Sequence, residues 1–388
     1  MKSYRNILIF IVVAQFFCTS LWFAGNGIIT QLIAQFELSK DALAYLTSSV
    51  QFGFITGTLL YALLTITDRF SPSKVFMISA FCGAFFNLGV IWDGNSLATL
   101  LVFRFLTGFF LAGIYPVGMK IATDYFDKGL GKSLGFLVGA LVVGTAFPHL
   151  LSDILTDFSW EIVLISTSIL ATIGGLLIFL FVPDGPFRKA GQQLDLSAIF
   201  RVFKNKPFRS AAFGYFGHMW ELYTFWAFVP ILLKTYTDIH SIENISISSL
   251  SFYIIAVGGI ACVIGGYLSE RFGTKQTAFT ALFLSAICSL IVPFSFAISS
   301  FPIFLVFLFF WSMVVIADSP LFSTLVAQNA VAEIKGSALT IVNCIGFSIT
   351  IISILILNQL STMTSSLYIY SLMAIGPILG LMALKKGN

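Results

Sequence analysis

The sequence predicts an all-α polytopic membrane protein: twelve transmembrane helices in two pseudo-symmetric six-helix bundles. Three observations carry the prediction. Of 388 residues, 58% are hydrophobic and 10% charged, with a mean hydropathy of +0.96, a composition that suits a lipid-solvated surface rather than a water-solvated one. Lys and Arg collect in every second loop. A short acidic-Arg-aromatic turn, TITDRFSPSKVF at 65–76, recurs half a chain later as GGYLSERFGTKQ at 265–276, as expected of a chain built by duplication.

Runs of about 20 apolar residues, the length that crosses a hydrocarbon core, lie near 7–32, 43–66, 75–92, 97–122, 133–156, 161–182, 209–233, 248–268, 277–297, 301–327, 337–359 and 365–384. The period-2 alternation of a barrel strand is missing, so the spans are helices. All but four of the 21 basic residues fall in the termini or in the loops near 69–74, 128–132, 188–209, 271–275 and 335. Lys40 and Lys234 fall in opposite-side loops, and Arg104 and Lys120 within spans. That asymmetry places both termini on the cytoplasmic side. The net charge of +4 therefore reports topology, not nucleic-acid binding.

The N-terminal Lys2, Arg5 and apolar run superficially resemble a signal peptide, but the run is too long and lacks a small-residue cleavage site, so it is read as the first span. Its residues Gln15, Thr19, Trp22, Asn26 and Thr30 follow one another at helical spacings and make one face polar. Such a stripe has no use against lipid and points to a water-filled cavity between the bundles, although a single Asn or Thr also serves as interhelical glue. The fourth span carries Arg104, two turns below the outer surface, together with Tyr115, Pro116 and glycines 108, 113 and 118 that permit close helix contact. A lone guanidinium in hydrocarbon is costly, so Arg104 must face a partner, a substrate or neighbouring carbonyls. The fifth span adds His149 to the candidate cavity.

Residues 183–208, with Pro183, Pro186, Pro207 and five basic residues, form the linker between an N-terminal bundle at 1–182 and a C-terminal bundle at 209–388. Within it, LDLSAIFRVFK at 194–204 fits an amphipathic helix on the inner membrane surface. The seventh span, GYFGHMWELYTFW at 214–226, places Glu221 near mid-membrane with His218 one turn away on the same face, flanked by Trp220 and Tyr223. An ionised carboxyl there is expensive, so Glu221 is the first candidate for carrying a proton, against the alternative of a permanently paired structural group. Asp318, two residues before Pro320 in the tenth span, is the second. Asn343 and Thr350 of the eleventh span extend the polar lining. The five cysteines lie inside spans without metal-ligand spacing and read as packing residues.

The halves correspond at three markers. LWF at 21–23 matches MWE at 219–221, Pro116 matches Pro320, and Asp68 matches Glu270, with offsets of 198, 204 and 202. The second loop phrase resembles the signature of the major facilitator superfamily: Gly266, Leu268, Glu270, Arg271, Gly273 and Lys275 match it throughout. The first copy keeps Asp68 and Arg69, has Leu64 and Ser71 where the pattern has glycines, and places Lys74 one position late.

The resemblance implies a cytoplasmic gate in which Asp68, Arg69, Glu270, Arg271 and Lys275 form a charge network with Asp124 and, in the symmetric loop, with Glu333 and Lys335. It also implies a role in proton coupling for Arg104, beside Glu221, Asp318 and His218. The function expected is secondary active transport by alternating access of a small polar or zwitterionic metabolite, coupled to proton symport. The partners are then that solute, protons and the lipid bilayer, with a monomer in a bacterial inner membrane. The family's nitrate carriers share a pair of arginines in the second and eighth spans, and its sugar-phosphate exchangers have basic residues in the first and seventh; this chain has neither. A proton-antiport exporter is the alternative, although its mark, a fifth span ending in Gly-Pro, is only partly met by Gly135, Gly139, Gly144 and Pro148. A membrane-embedded enzyme fits less well: His149, His218 and His240 lack ligand spacing, no Walker loop occurs, and neither metal nor cofactor is expected. The sequon Asn244-Ile-Ser246 and the terminal KKGN carry little weight.

Overall fold

The computed structural model describes residues 2–126, 130–188, 202–330 and 335–386. They are almost wholly helical, with no strand among the described residues. Ten of their helices are long and apolar enough to cross a membrane: Ala42–Leu63, Pro72–Ile91, Leu97–Tyr125, Ser133–Ile154, Glu161–Phe181, Ile247–Phe272, Thr274–Ser295, Phe301–Asn329, Lys335–Met363 and Leu367–Lys385. These are the expected second to sixth and eighth to twelfth spans. The first and seventh fall short of that measure for physical reasons.

The expected helix over 7–32 is in three pieces, Lys2–Thr19, Ala24–Gly27 and Ile29–Gln35. Hydroxyls compete with the backbone ladder at the first break, where Thr19 Oγ1 donates to Gln15 O at 2.8 Å and Ser20 Oγ to Phe17 O at 2.6 Å. Gly25 and Gly27 weaken the next turn, and Gly27 lies against the backbone of Pro148 in the fifth span, where a Cβ would meet Pro148 O at 2.8 Å. The seventh span is one unbroken helix, Lys206–Ile239, capped by Asn205 and started by Pro207. Its interior includes His218, Glu221 and Thr224, all buried, which lowers its apolarity.

The fourth and tenth spans break at matching points. Ala112–Ile114 separate Leu97–Leu111 from Tyr115–Tyr125, and Asp318 separates Phe301–Ala317 from Ser319–Asn329. Pro116 and Pro320 each sit at the start of the second piece, where a missing N–H costs nothing but the preceding turn cannot run through. The signature loop of the second half turns at Gly273, whose φ of +88° only glycine adopts readily. The first half, with Ser71 at φ −58°, turns elsewhere: Thr65 takes φ +50°.

The chain divides into two compact units, Met1–Leu194 and Asp195–Asn388. Inside the first, the second span packs on the fourth, the third on the sixth, and the first on the fifth and sixth. Inside the second, the eighth packs on the tenth, the ninth on the twelfth, and the seventh on the eleventh and twelfth. Shifted by six spans, the pairings coincide, as two copies of one bundle should. The glycines of the fourth span act as expected. A Cβ on Gly108 would lie 2.0 Å from Val50 O, one on Gly113 2.0 Å from Ser79 Oγ, and one on Gly118 2.4 Å from Gln15 Oε1. Of the surface helix expected over 194–204, residues 194–201 lie outside the described residues.

Candidate functional site

In the second unit the seventh span aims Glu221 at the ninth and tenth spans. The carboxylate is fully buried and accepts from three neutral donors: Ser289 Oγ at 2.5 Å and Trp311 Nε1 at 2.7 Å on Oε1, and Ser285 Oγ on Oε2. Ser285 and Ser289 are one turn apart on the ninth span, so a single helix face presents both hydroxyls. None of these groups carries charge. The protein holds this carboxyl with oriented dipoles in place of a counter-ion.

His218, three residues before Glu221, faces the break in the tenth span. Its Nδ1 lies 2.8 Å from Asp318 Oδ1, and both residues are fully buried. The approach lacks hydrogen-bond geometry: none of His218 Nδ1, His218 Nε2, Asp318 Oδ1 and Asp318 Oδ2 has a hydrogen-bond partner. Glu221 and His218 are thus neighbours on one helix with separate partners.

In the first unit Arg104 is fully buried and its guanidinium is occupied. Nη1 donates to Asn87 Oδ1 at 3.0 Å, and Nη2 to the carbonyls of Leu21 at 3.1 Å and Trp22 at 2.5 Å. Those carbonyls belong to the break in the first span, where Leu21 O also accepts a long turn bond from Ala24 N at 3.5 Å. Asn87 is held in turn, its Nδ2 donating to Leu164 O, Thr167 Oγ1 and Ser168 Oγ at 3.0–3.2 Å. Of the readings open to Arg104, bonding to neighbouring carbonyls describes its position.

The residues expected to line a cavity are mostly buried and packed. Gln15 is fully buried against Gly118, with both amide atoms unpartnered, and Thr19 bonds back to its own helix. The Trp22 ring lies 4.8 Å from that of Phe54, and Asn26 Nδ2 donates to Thr47 Oγ1 at 2.9 Å, tying the first span to the second. His149 is buried with Nε2 unpartnered. Trp220 Nε1 donates to Leu372 O at 2.9 Å, and Tyr223 packs against Trp226 and Phe347. Tyr115 and Asn343 are half-buried, and Thr30 is exposed.

At the end of the first unit that holds the signature loop, Lys120 Nζ stands 3.4 Å from Asp68 Oδ1 and 3.8 Å from Asp124 Oδ1. Lys120, inside the span Leu97–Tyr125, thus joins the loop carboxylates, because its helix ends beside them. Arg69 Nε donates to Thr65 Oγ1 at 3.1 Å. Arg188, after the sixth span, donates to the carbonyls of Asp68 and Phe70 at 3.2 and 2.8 Å and pairs with Asp184, which accepts from Ser71 at 2.6 Å. In the second unit Glu270 and Arg271 are exposed, with Arg271 5.3 Å over the Phe272 ring, and Lys275 borders a cavity lined also by Ser210, Leu325 and Asn329. Their expected partner Glu333 lies outside the described residues.

Sequence reasoning passed over Asn87, Ser285, Ser289, Trp311 and Arg188. The available signal was spacing: Ser285 and Ser289 recur at one helical turn in an otherwise apolar span.

The sequence pattern of the Major Facilitator Superfamily matches residues 11–354. The chain is 24% identical over 234 residues to a Bacillus subtilis (strain 168) protein named as a niacin/nicotinamide transporter, NiaP, and 22% identical over 259 residues to a bicyclomycin resistance protein homolog of Haemophilus influenzae. Those stretches are 58% and 65% of this chain, and span 58% and 62% of the two relatives' own lengths. Two crystal structures share the fold. A bacterial homolog of the human lysosomal transporter Spinster aligns with a TM-score of 0.64 at 15% identity, over 99% of this chain and 92% of its own. The nucleoside transporter NupG aligns with a TM-score of 0.74 at 12% identity, over 98% of this chain and 100% of its own.

Proposed function

The chain belongs to the major facilitator superfamily, and from that premise we propose that it is a secondary active transporter that carries a small polar or zwitterionic organic molecule by alternating access, coupled to proton symport in a bacterial inner membrane. The observation that supports coupling is Glu221, a fully buried carboxyl with three donors and no cation among them. Such a site accommodates both protonation states. Ionised, it accepts all three bonds. Protonated at Oε2, it donates to Ser285, whose hydroxyl turns to accept, while Ser289 and Trp311 keep their bonds to Oε1. His218 and Asp318, one turn away, offer a second pair through which a proton can pass.

The gate we assign to Asp68, Arg69, Asp124, Glu270, Arg271 and Lys275, with Lys120 and Arg188 added, holds the cytoplasmic ends together until the cycle opens them. The names of the two relatives fit a small organic cargo. One of them, a resistance protein homolog, fits the second reading, proton-antiport export. The test is an imposed pH gradient across proteoliposomes, inside alkaline. Solute accumulation that collapses with a protonophore supports symport, depletion supports export, and a flux blind to the gradient removes proton coupling.

A further inference from the structure

The second span, Ala42–Leu63, is the least apolar of the ten. Ser48, Gln51 and Thr58 follow one another at three and seven residues and so share one face. The helix that carries them is pinned on two sides. Thr47 Oγ1 accepts from Asn26, and the Phe54 ring packs on Trp22. On the opposite side Gly53 seats against Phe105 O and Gly57 against Phe109 O, so closely that a Cβ would come within 2.3 Å. Gln51 lies between the two first-span contacts. It is fully buried, and neither Nε2 nor Oε1 has a hydrogen-bond partner; Ser48 Oγ and Thr58 Oγ1 lack one too.

A buried amide left unpaired carries the desolvation cost of each polar group with no bond to offset it. A carrier that closes over such a stripe closes more readily on a molecule that supplies the missing bonds, and rejects an analogue that does not. The stripe is neutral. Arg104, the one buried Lys or Arg among the described residues, has its guanidinium committed to Asn87 and the carbonyls of residues 21 and 22. The chemistry that fits an amide is another donor–acceptor edge, which pairs with it through two parallel bonds.

We propose that Gln51, with Ser48 and Thr58, is a specificity-determining residue that reads a neutral amide-type edge, a carboxamide, lactam or ureide, on the transported molecule. This rests on the carrier reading above and narrows its cargo to the uncharged member of a pair such as amide and carboxylate. The test is binding, needs no proton gradient, and so stands apart from the fate of Glu221. Purified full-length protein is titrated with benzamide and 2-pyrrolidone, and with benzoate and benzylamine as charged controls, reading unfolding temperature and equilibrium dialysis. The amides bind and the charged compounds do not. Gln51→Leu weakens amide binding at least about tenfold. The near-isosteric Gln51→Glu, which replaces the donor edge by an acceptor, does the same, its binding read by equilibrium dialysis well below its own unfolding temperature. Absence of amide binding, equal binding of benzoate, or amide binding unchanged in Gln51→Glu overturns the assignment.

Discussion

Asn87 and Ser289 occupy the same point of their spans, fifteen residues after Pro72 and after Thr274, and each bonds the buried charge of its own bundle. Their separation of 202 residues is that of Asp68 and Glu270. Asn87 accepts from Arg104, a cation of the fourth span; Ser289 donates to Glu221, an anion of the seventh. The duplicated junction therefore joins equivalent spans but differs in the sign of its charge and in the span that carries it. In both copies a charge is held by neutral dipoles, and removing a dipole costs more than an ordinary hydrogen bond because the charge it leaves behind stays buried.

Glu221→Gln tests the anion. The glutamine can keep its oxygen under Ser289 and Trp311 and offer its amide to Ser285, so the fold and solute binding persist while the titrating proton is gone. Gradient-driven accumulation falls by at least about two orders of magnitude, the usual scale for losing a positioned proton carrier, and counterflow exchange stays within a factor of a few. Unimpaired accumulation in proteoliposomes removes Glu221 from coupling.

Asn87→Leu tests the cation. It strips the buried Arg104 guanidinium of one acceptor, at a cost of about 2–3 kcal/mol. Asn87→Asp keeps the acceptor and adds a complementary charge, so its loss is smaller. Thermal unfolding in detergent ranks them wild type, Asp, Leu; an aspartate variant below the leucine variant contradicts the bonding described here.

Most of the fold was legible because lipid writes it in long runs: the ends of the second to sixth spans and of the eighth to twelfth fall within four residues of the apolar segments in the sequence. The break in the first span was not, because it arises where Thr19 and Ser20 bond backward and where Gly27 meets Pro148, a contact across 121 residues. Glu221, His218, Asp318 and Arg104 could be singled out by the expense of burying them. What they touch could not, since Ser285, Ser289 and Asn87 are unremarkable until helix rotation turns them inward. The gate shows the same limit: the family resemblance implied one network for Asp68 and Asp124, but the reach of Lys120 decides which cation joins them.

Lys120→Ala tests that decision against Arg69→Ala. Lys120 contacts two carboxylates, whereas the Arg69 side chain bonds only Thr65 among the described residues. Removing Lys120 leaves Asp68 and Asp124 repelling each other and favours the inward-open state. A single cysteine reporter then labels from the cytoplasmic side several-fold faster in Lys120→Ala than in Arg69→Ala, an effect of about 1 kcal/mol for a half-exposed cluster. Equal labelling in both variants removes Lys120 from the gate.

The two glycines of the matching signature copy are not equivalent. A Cβ on Gly266 or on Gly273 would meet nothing within 4 Å, so packing separates neither from alanine. Backbone conformation does: Gly273 ends the eighth span at φ +88°, ψ 142°, where a side chain clashes with its own peptide, while Gly266 is an ordinary helical residue. Gly273→Ala therefore costs about 1–2 kcal/mol, and Gly266→Ala is neutral or stabilising by about 0.5–1 kcal/mol through helix propensity. The first bundle has made that exchange already, with Leu64 and Ser71 at the two positions and the left-handed residue moved to Thr65. Unfolding temperatures of the two alanine variants decide the matter: a loss at Gly266 equal to that at Gly273 would mean that something other than local backbone geometry keeps glycine there.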